Sequence, residues 1–227
     1  MTRPPPGRIE GIDVYLEVGK KRTFAGALDW PGWCRAAKGE QEALQALLDY
    51  ATRYARVAEE LGFEAPKDVT DLRVKERVPG EANTDFGSLG TPPKYDDQPL
   101  DQQEHQRHEK ILQACWSALD RAAERARGKE LSKGPRGGGR ALDDITQHVL
   151  DAEGGYLYRL AWKRGKEAER DPKLSRELML QALNASVRGE VPAEGPRGGK
   201  KWTGRYFVRR EAWHVLDHAW EIEDRSS

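Results

Sequence analysis

Beyond residue 101 the apolar residues recur only at helical spacing, in four separate stretches, with no strand-like alternation between them. The first stretch, about 102–127, sets Ile111, Leu112, Cys115, Trp116, Leu119 and Ala123 on one stripe. The second, about 141–163, carries Ile145, His148, Val149, Ala152, Tyr156 and Leu160. Pro172 suits the first turn of a third, 173–187, with Leu174, Leu178, Ala182 and Ala185. The fourth, about 205–223, presents Val208, Ala212, Val215, Ala219 and Ile222. Four such stripes must be buried on one another, so residues 102–227 are expected to form an all-α up-and-down four-helix bundle.

The chain before this point has a different pattern. Ile12 to Val18 alternates at period two, Gly19-Lys20-Lys21 makes a turn, and Thr23 to Leu28 reads as a second strand ended by Asp29-Trp30-Pro31-Gly32. Between residues 40 and 61, Ala43, Leu44, Leu47, Leu48, Ala51, Tyr54, Ala55, Ala58 and Leu61 recur at helical spacing, and Gly62 suits the residue just past the helix end. Residues 71–78 read as a further strand, so 8–78 is expected to be a small α+β layer. Residues 79–101 are rich in Pro, Gly and Asp and show no period. They read as a linker between two domains, part of which could lie on one of them.

Charge narrows the function. Thirty-eight basic residues are matched by 38 acidic ones, which argues against a nucleic-acid or anionic-membrane coat. No apolar run is long enough to span a bilayer, and the first residues, Met-Thr-Arg-Pro-Pro-Pro-Gly, lack the apolar core of a secretory signal. A cytoplasmic location is therefore expected. Cys34 and Cys115 have no pairing spacing and read as two reduced thiols.

Two of the five histidines stand four residues apart, in His214-Val215-Leu216-Asp217-His218. On a helix that spacing puts both imidazoles on one face. His148 falls on the apolar stripe of the second helix, where an imidazole needs a partner. In an up-and-down bundle the first and third connections lie at one end. Counted from that end at 1.5 Å per residue, the three histidines fall within about 8 Å of one another along the axis. By the same count His105 and His108 lie about 20 Å away and are expected to be solvated residues opening the first helix.

Through Leu142 to Glu153 around His148 and Arg210 to Glu221 around the His214/His218 pair, about residues 102–224 resemble the DinB superfamily of metalloenzymes. The resemblance implies a four-helix bundle with one histidine on the second helix and a His-x-x-x-His pair on the fourth, hence a divalent cation on His148, His214 and His218. It also implies chemistry on a small-molecule substrate, with a low-molecular-weight thiol as cosubstrate in the better understood members. Three protein ligands leave open coordination positions, and zinc, nickel, iron and manganese all accept imidazole. Through Tyr15 to Val18, the Trp30-Pro31-Gly32 turn and the helix that follows, the first part resembles the HicB-like antitoxin fold. No DNA-binding tail follows it, so a docking or homodimerisation module is the expected role.

Glu211, one turn before His214, and Glu153, about a turn after His148, are candidates to orient an imidazole or accept a proton. Each also fits a surface or ion-paired carboxylate. Tyr156, Trp202, Tyr206 and Trp213 either line an apolar cleft or are core. Gly-Pro-Arg-Gly-Gly occurs twice, at 134–138 and 195–199, each copy followed by basic residues. These loops are either flexible connections or an anion-holding rim built from Arg136, Arg140, Arg197 and Lys200. Two functions follow: metal-dependent transfer or hydrolysis, or a non-catalytic stress or regulatory protein whose first module binds a protein partner.

Overall fold

The computed structural model describes residues 11–133, 139–195 and 199–226. The chain divides into two compact units, one reaching Tyr95 and the other starting at Asp96.

The first unit is built on a four-stranded mixed sheet. Its strands are β1 (Ile12–Val18), β2 (Thr23–Ala27), β3 (Cys34–Ala37) and β4 (Leu72–Pro79), in the order β3-β2-β1-β4. β1 pairs antiparallel with β2 and parallel with β4, with a register shift between Val14 and Tyr15. The helical text between the strands breaks into α1 (Glu40–Asp49), α2 (Ala51–Val57) and a 3-10 turn, Glu59–Leu61. Gly62 closes it at φ 72°, the left-handed conformation that glycine adopts without a Cβ penalty. α1 packs on β2 and β3. Trp33 donates its indole N–H to the Leu47 carbonyl (2.9 Å), and Tyr54 its hydroxyl to Pro31 (2.9 Å), around Phe63.

β1 is buried on both faces: Tyr15 and Glu17 are as enclosed as Val14 and Leu16. The cover over the Tyr15 and Glu17 face comes from the aperiodic stretch after β4. It contains α3 (Ala82–Phe86) and a 3-10 turn, Lys94–Asp97. The Glu17 carboxylate accepts from the Thr84 hydroxyl and from the Gly90 N–H (2.9 Å). Glu76 accepts from the Lys94 N–H (2.9 Å), and Tyr95 packs against Tyr15, Leu28 and Val78. A buried carboxylate stripped of water needs such donors. They hold the stretch to the sheet, and the division between units falls inside the stretch.

The second unit holds α4 (Gln102–Ala126), α5 (Leu142–Arg159), α6 (Pro172–Val187) and α7 (Gly204–Arg225). Asp101 caps α4 through a reciprocal capping box with Glu104, and Asp171 caps α6 with Pro172 in its first turn. α5 ends before Ala161, which takes a positive φ of 60°. α7 packs most extensively on α4 and also touches α5 and α6. It is buried nearly all round, not on one stripe, and Arg205, Arg209, Arg210 and Glu211 go inside with the apolar residues. The segment before α4 explains part of this. Asp96 takes a bidentate pair from Arg209 (2.7 and 2.7 Å), and Arg205 reaches the Gln98 and Pro99 carbonyls and Glu104. Cys34 and Cys115 are both buried free thiols. No described helix is long and apolar enough to cross a membrane.

Candidate metal centre

α7 presents Arg210, His214 and His218 four residues apart along one side, and α5 brings His148 to face them. The Nε2 atoms of His148 and His214 lie 3.3 Å apart. The three ring centroids are separated by 4.7 to 5.1 Å, and one ring nitrogen from each of the three lies within 4.8 Å of the others. His214 and His218 are buried, and His148 is half-buried.

Protonation is set against charge here. Burial is the main reason the His214 pKa falls well below the usual imidazole range, and His218, His148, Arg210 and Arg140 add to it. His148 is lowered by burial first, then by His218 and Arg140, with Asp151 and Glu221 pulling the other way. Neutral imidazoles keep a lone pair free for a cation. His218 is fixed further, because its Nδ1–H donates to Glu221 Oε2 (2.8 Å) and leaves Nε2 as the lone-pair nitrogen. Glu221 is lowered chiefly by that hydrogen bond and also by one from Arg225. His214 Nδ1 is buried with no hydrogen-bond partner among the described residues.

The donor set fits a divalent cation. Tetrahedral angles with metal–nitrogen bonds near 2.05 Å place ligand atoms about 3.3 Å apart. The His148–His214 separation already matches this, and the remaining nitrogens need to close by at most about 1.5 Å. This cluster could hold a metal ion.

Beside it lies an aromatic wall. The Tyr156 ring meets His214 (5.8 Å) and Trp202 (5.3 Å), and Trp202 meets Tyr206 (4.9 Å). Arg210 reaches the Tyr156 hydroxyl (3.4 Å) and lies 5.0 Å from the Trp213 ring. Burial pushes the Tyr156 phenol up to about 12.

The other expected site residues distribute unevenly. Glu153 and Glu211 are fully buried among the helices, and the carboxylate that bonds an imidazole is Glu221. Glu211 accepts from the Trp116 indole N–H (2.7 Å). Burial raises Glu153 to about 7, against the pull of Ser175, Arg176 and Arg164, and raises Glu211 well above the carboxylate range, with Glu153 adding to it. Both lie in the interior, where burial favours the protonated form. Arg140 is exposed and contributes positive charge toward His148 and His214. Lys200 sits 3.8 Å from Asp97. Arg136 and Arg197 lie outside the described residues.

His105 and His108 correct the expectation of solvated residues, since both are buried. Arg205 joins α7 to Glu104 over the first turns of α4, and His108 Nδ1 donates to the Glu104 carbonyl (2.7 Å). Burial drives His108 down to about 4. His105 Nε2 lies 3.6 Å from Glu109. Neither belongs to the cluster of three.

Sequence reasoning passed over Arg210, Glu221 and Arg225. The signal was there: 210, 214 and 218 share one helical stripe, and His218, Glu221 and Arg225 follow at i+3 and i+4. Compared with protein-family models, curated proteins and solved structures, the chain has no match.

Proposed function

We propose that the helical unit is a DinB-like up-and-down four-helix bundle that holds one divalent cation on His148, His214 and His218. Its activity is metal-dependent transfer or hydrolysis on a small molecule, with a low-molecular-weight thiol or water as nucleophile. The observation that carries this reading is the convergence of three imidazole nitrogens, one of them with its tautomer set by Glu221. Structural cation sites fill their coordination with protein atoms, whereas three ligands leave room for a reacting group. The chemistry so supplied is Lewis acidity toward a thiol or a water.

The chain's own residues do the rest. Glu221 holds His218 with Nε2 forward. Arg210 and Arg140 bring positive charge to the cluster and orient an anionic part of the substrate. The rings of Tyr156, Trp202 and Trp213 give an apolar wall that excludes water beside His214. Zinc, nickel, iron and manganese all satisfy this donor set.

Metal analysis of the purified full chain, loaded with each ion in turn, tests the reading. One equivalent is expected for the wild type, near zero for His148→Ala and His214→Ala, and wild-type content for His105→Ala. Cobalt-loaded protein should change its visible spectrum on addition of a small thiol. A wild-type chain that retains no ion after desalting would remove the proposal.

A further inference from the structure

We infer that Arg225 is a positioning residue that ties occupancy of the three histidines to the backbone at Ser132 and Arg140. The inference rests on the metal reading above and adds a coupling to it.

Arg225 is nine-tenths buried in the last turn of α7, and all three of its guanidinium nitrogens are engaged. Nη1 donates to Glu221 Oε1 (2.7 Å), Nε to the Ser132 carbonyl (2.8 Å) and Nη2 to the Arg140 carbonyl (2.8 Å). Ser132 returns its N–H to the Arg225 carbonyl (2.8 Å). One side chain therefore grips the backbone at both places. Its remaining arm holds the carboxylate whose other oxygen accepts from His218 Nδ1.

Only a planar fork with several donors can make such a junction; a lysine ammonium has one nitrogen and no fixed plane. With Arg225 on one oxygen and His218 on the other, Glu221 is fixed in place and in orientation. A cation on His218 Nε2 makes Nδ1–H a stronger donor, which tightens Glu221 and, through it, Arg225 and the two carbonyls. Coupling is reciprocal, so loosening the grip on the two carbonyls weakens the hold on the cation by the same factor. An arginine that merely neutralised the carbonyl end of α7 would stabilise the helix and leave cation affinity alone.

Gly139 supplies an independent way in. A Cβ at this residue would stand 2.4 Å from Arg225 Nη2, and the backbone there has φ 156°. Gly139→Ala therefore pushes the guanidinium off the two carbonyls without altering Arg225, Glu221 or any imidazole.

The test uses the full chain and zinc, with affinity read by competition against a chromogenic chelator and coupling read by amide hydrogen exchange. For the wild type, zinc should slow exchange in peptides that contain Ser132 and Arg140. Arg225→Gln should weaken zinc binding by about 10- to 100-fold, the usual effect of losing an outer-sphere partner. At saturating zinc it should no longer protect those peptides. Arg225→Lys should keep part of the affinity, through Glu221, and lose the protection. Gly139→Ala should weaken binding in the same direction, and it carries the test if Arg225→Gln does not fold by circular dichroism. Zinc affinity unchanged in Arg225→Gln and in Gly139→Ala, or protection that persists in both, overturns the coupling and leaves the metal reading standing. A wild type that binds no zinc, nickel, iron or manganese overturns both.

Discussion

Replacing Glu153 by glutamine should flatten the pH dependence of stability. Glu153 is 1% exposed, and its acidity moves from 4.5 to about 7, mainly because burial disfavours its ionised form. In the unfolded chain the same carboxyl ionises near 4.5. Between those values the folded state keeps a proton that the unfolded state has lost, so stability falls as pH rises from 4.5 toward 7. At about 1.36 kcal/mol per tenfold change in proton affinity, the loss is about 3 kcal/mol from pH 4 to pH 8. Glutamine has the same shape and no proton to lose. Any misfit of its amide among Ser175 and Arg176 adds a cost of about 1–3 kcal/mol, nearly the same at both pH values. The quantity to measure is therefore a double difference: urea stability of wild type and variant at each end of the range. It is followed by the helical circular dichroism signal in metal-free protein. The variant should lose about 3 kcal/mol less than the wild type on going from low to high pH. Parallel profiles, differing by less than about 1 kcal/mol, would show that Glu153 is ionised in the folded protein and would sink the reasoning.

The buried pair of Asp96 and Arg209 should behave asymmetrically. Arg209→Ala alone should cost about 3–5 kcal/mol in urea unfolding by stranding a carboxylate, whereas Asp96→Leu with Arg209→Met together should cost much less. Equal losses would mean that the charge is not the issue. His108 titrates near 4 in the folded protein and near 6.5 when unfolded, so it should subtract about 3 kcal/mol of stability as pH falls from 7 to 4. His108→Gln should remove that acid-side slope, and an imidazole signal in proton NMR titrating near 6.5 in the native state would contradict it. In the first unit, Gly26→Ala sets a Cβ 2.6 Å from the buried Tyr15 ring. It should destabilise that unit by about 1–3 kcal/mol in urea while leaving zinc stoichiometry at the histidines intact.

Much of the helical unit was legible because helices write their burial locally. Ile111, Leu112, Cys115 and Leu119, and later Val208, Ala212 and Val215, recur at a period that only a helix satisfies, and Pro172 marks the start of the third stretch. The three histidines were found by the same arithmetic. What escaped was burial produced by pairing across long separations. Arg205 and Arg209 look like a solvated face until Asp96 and Glu104 are seen to meet them about a hundred residues away in sequence. His105 and His108 are buried as well, with Arg205 and Arg209 placing charge near His108. Residues 79–95 carry no period because backbone and hydroxyl donors, at Gly90 and Thr84, attach them to Glu17. β3 escaped too, since four residues, Cys34–Ala37, show little alternation. Glu221 and Arg225 had the right spacing but also the look of ordinary charge near a helix end, which is the commoner case.

α7 is the hub of its unit, enclosed on nearly every side, and it carries two of the three imidazoles. A helix so enclosed should open only when the whole unit does, whereas α5 buries a single stripe and is followed by Ala161 at φ 60°. If the proposed cation binds, His214 and His218 should form the fixed side of its site and His148 the more mobile one. Escape of a bound ion should run at the pace of local α5 fluctuations, far faster than unfolding. Amides around His148 should trade their hydrogens well before those around His214, and the reverse order would place the hinge on α7.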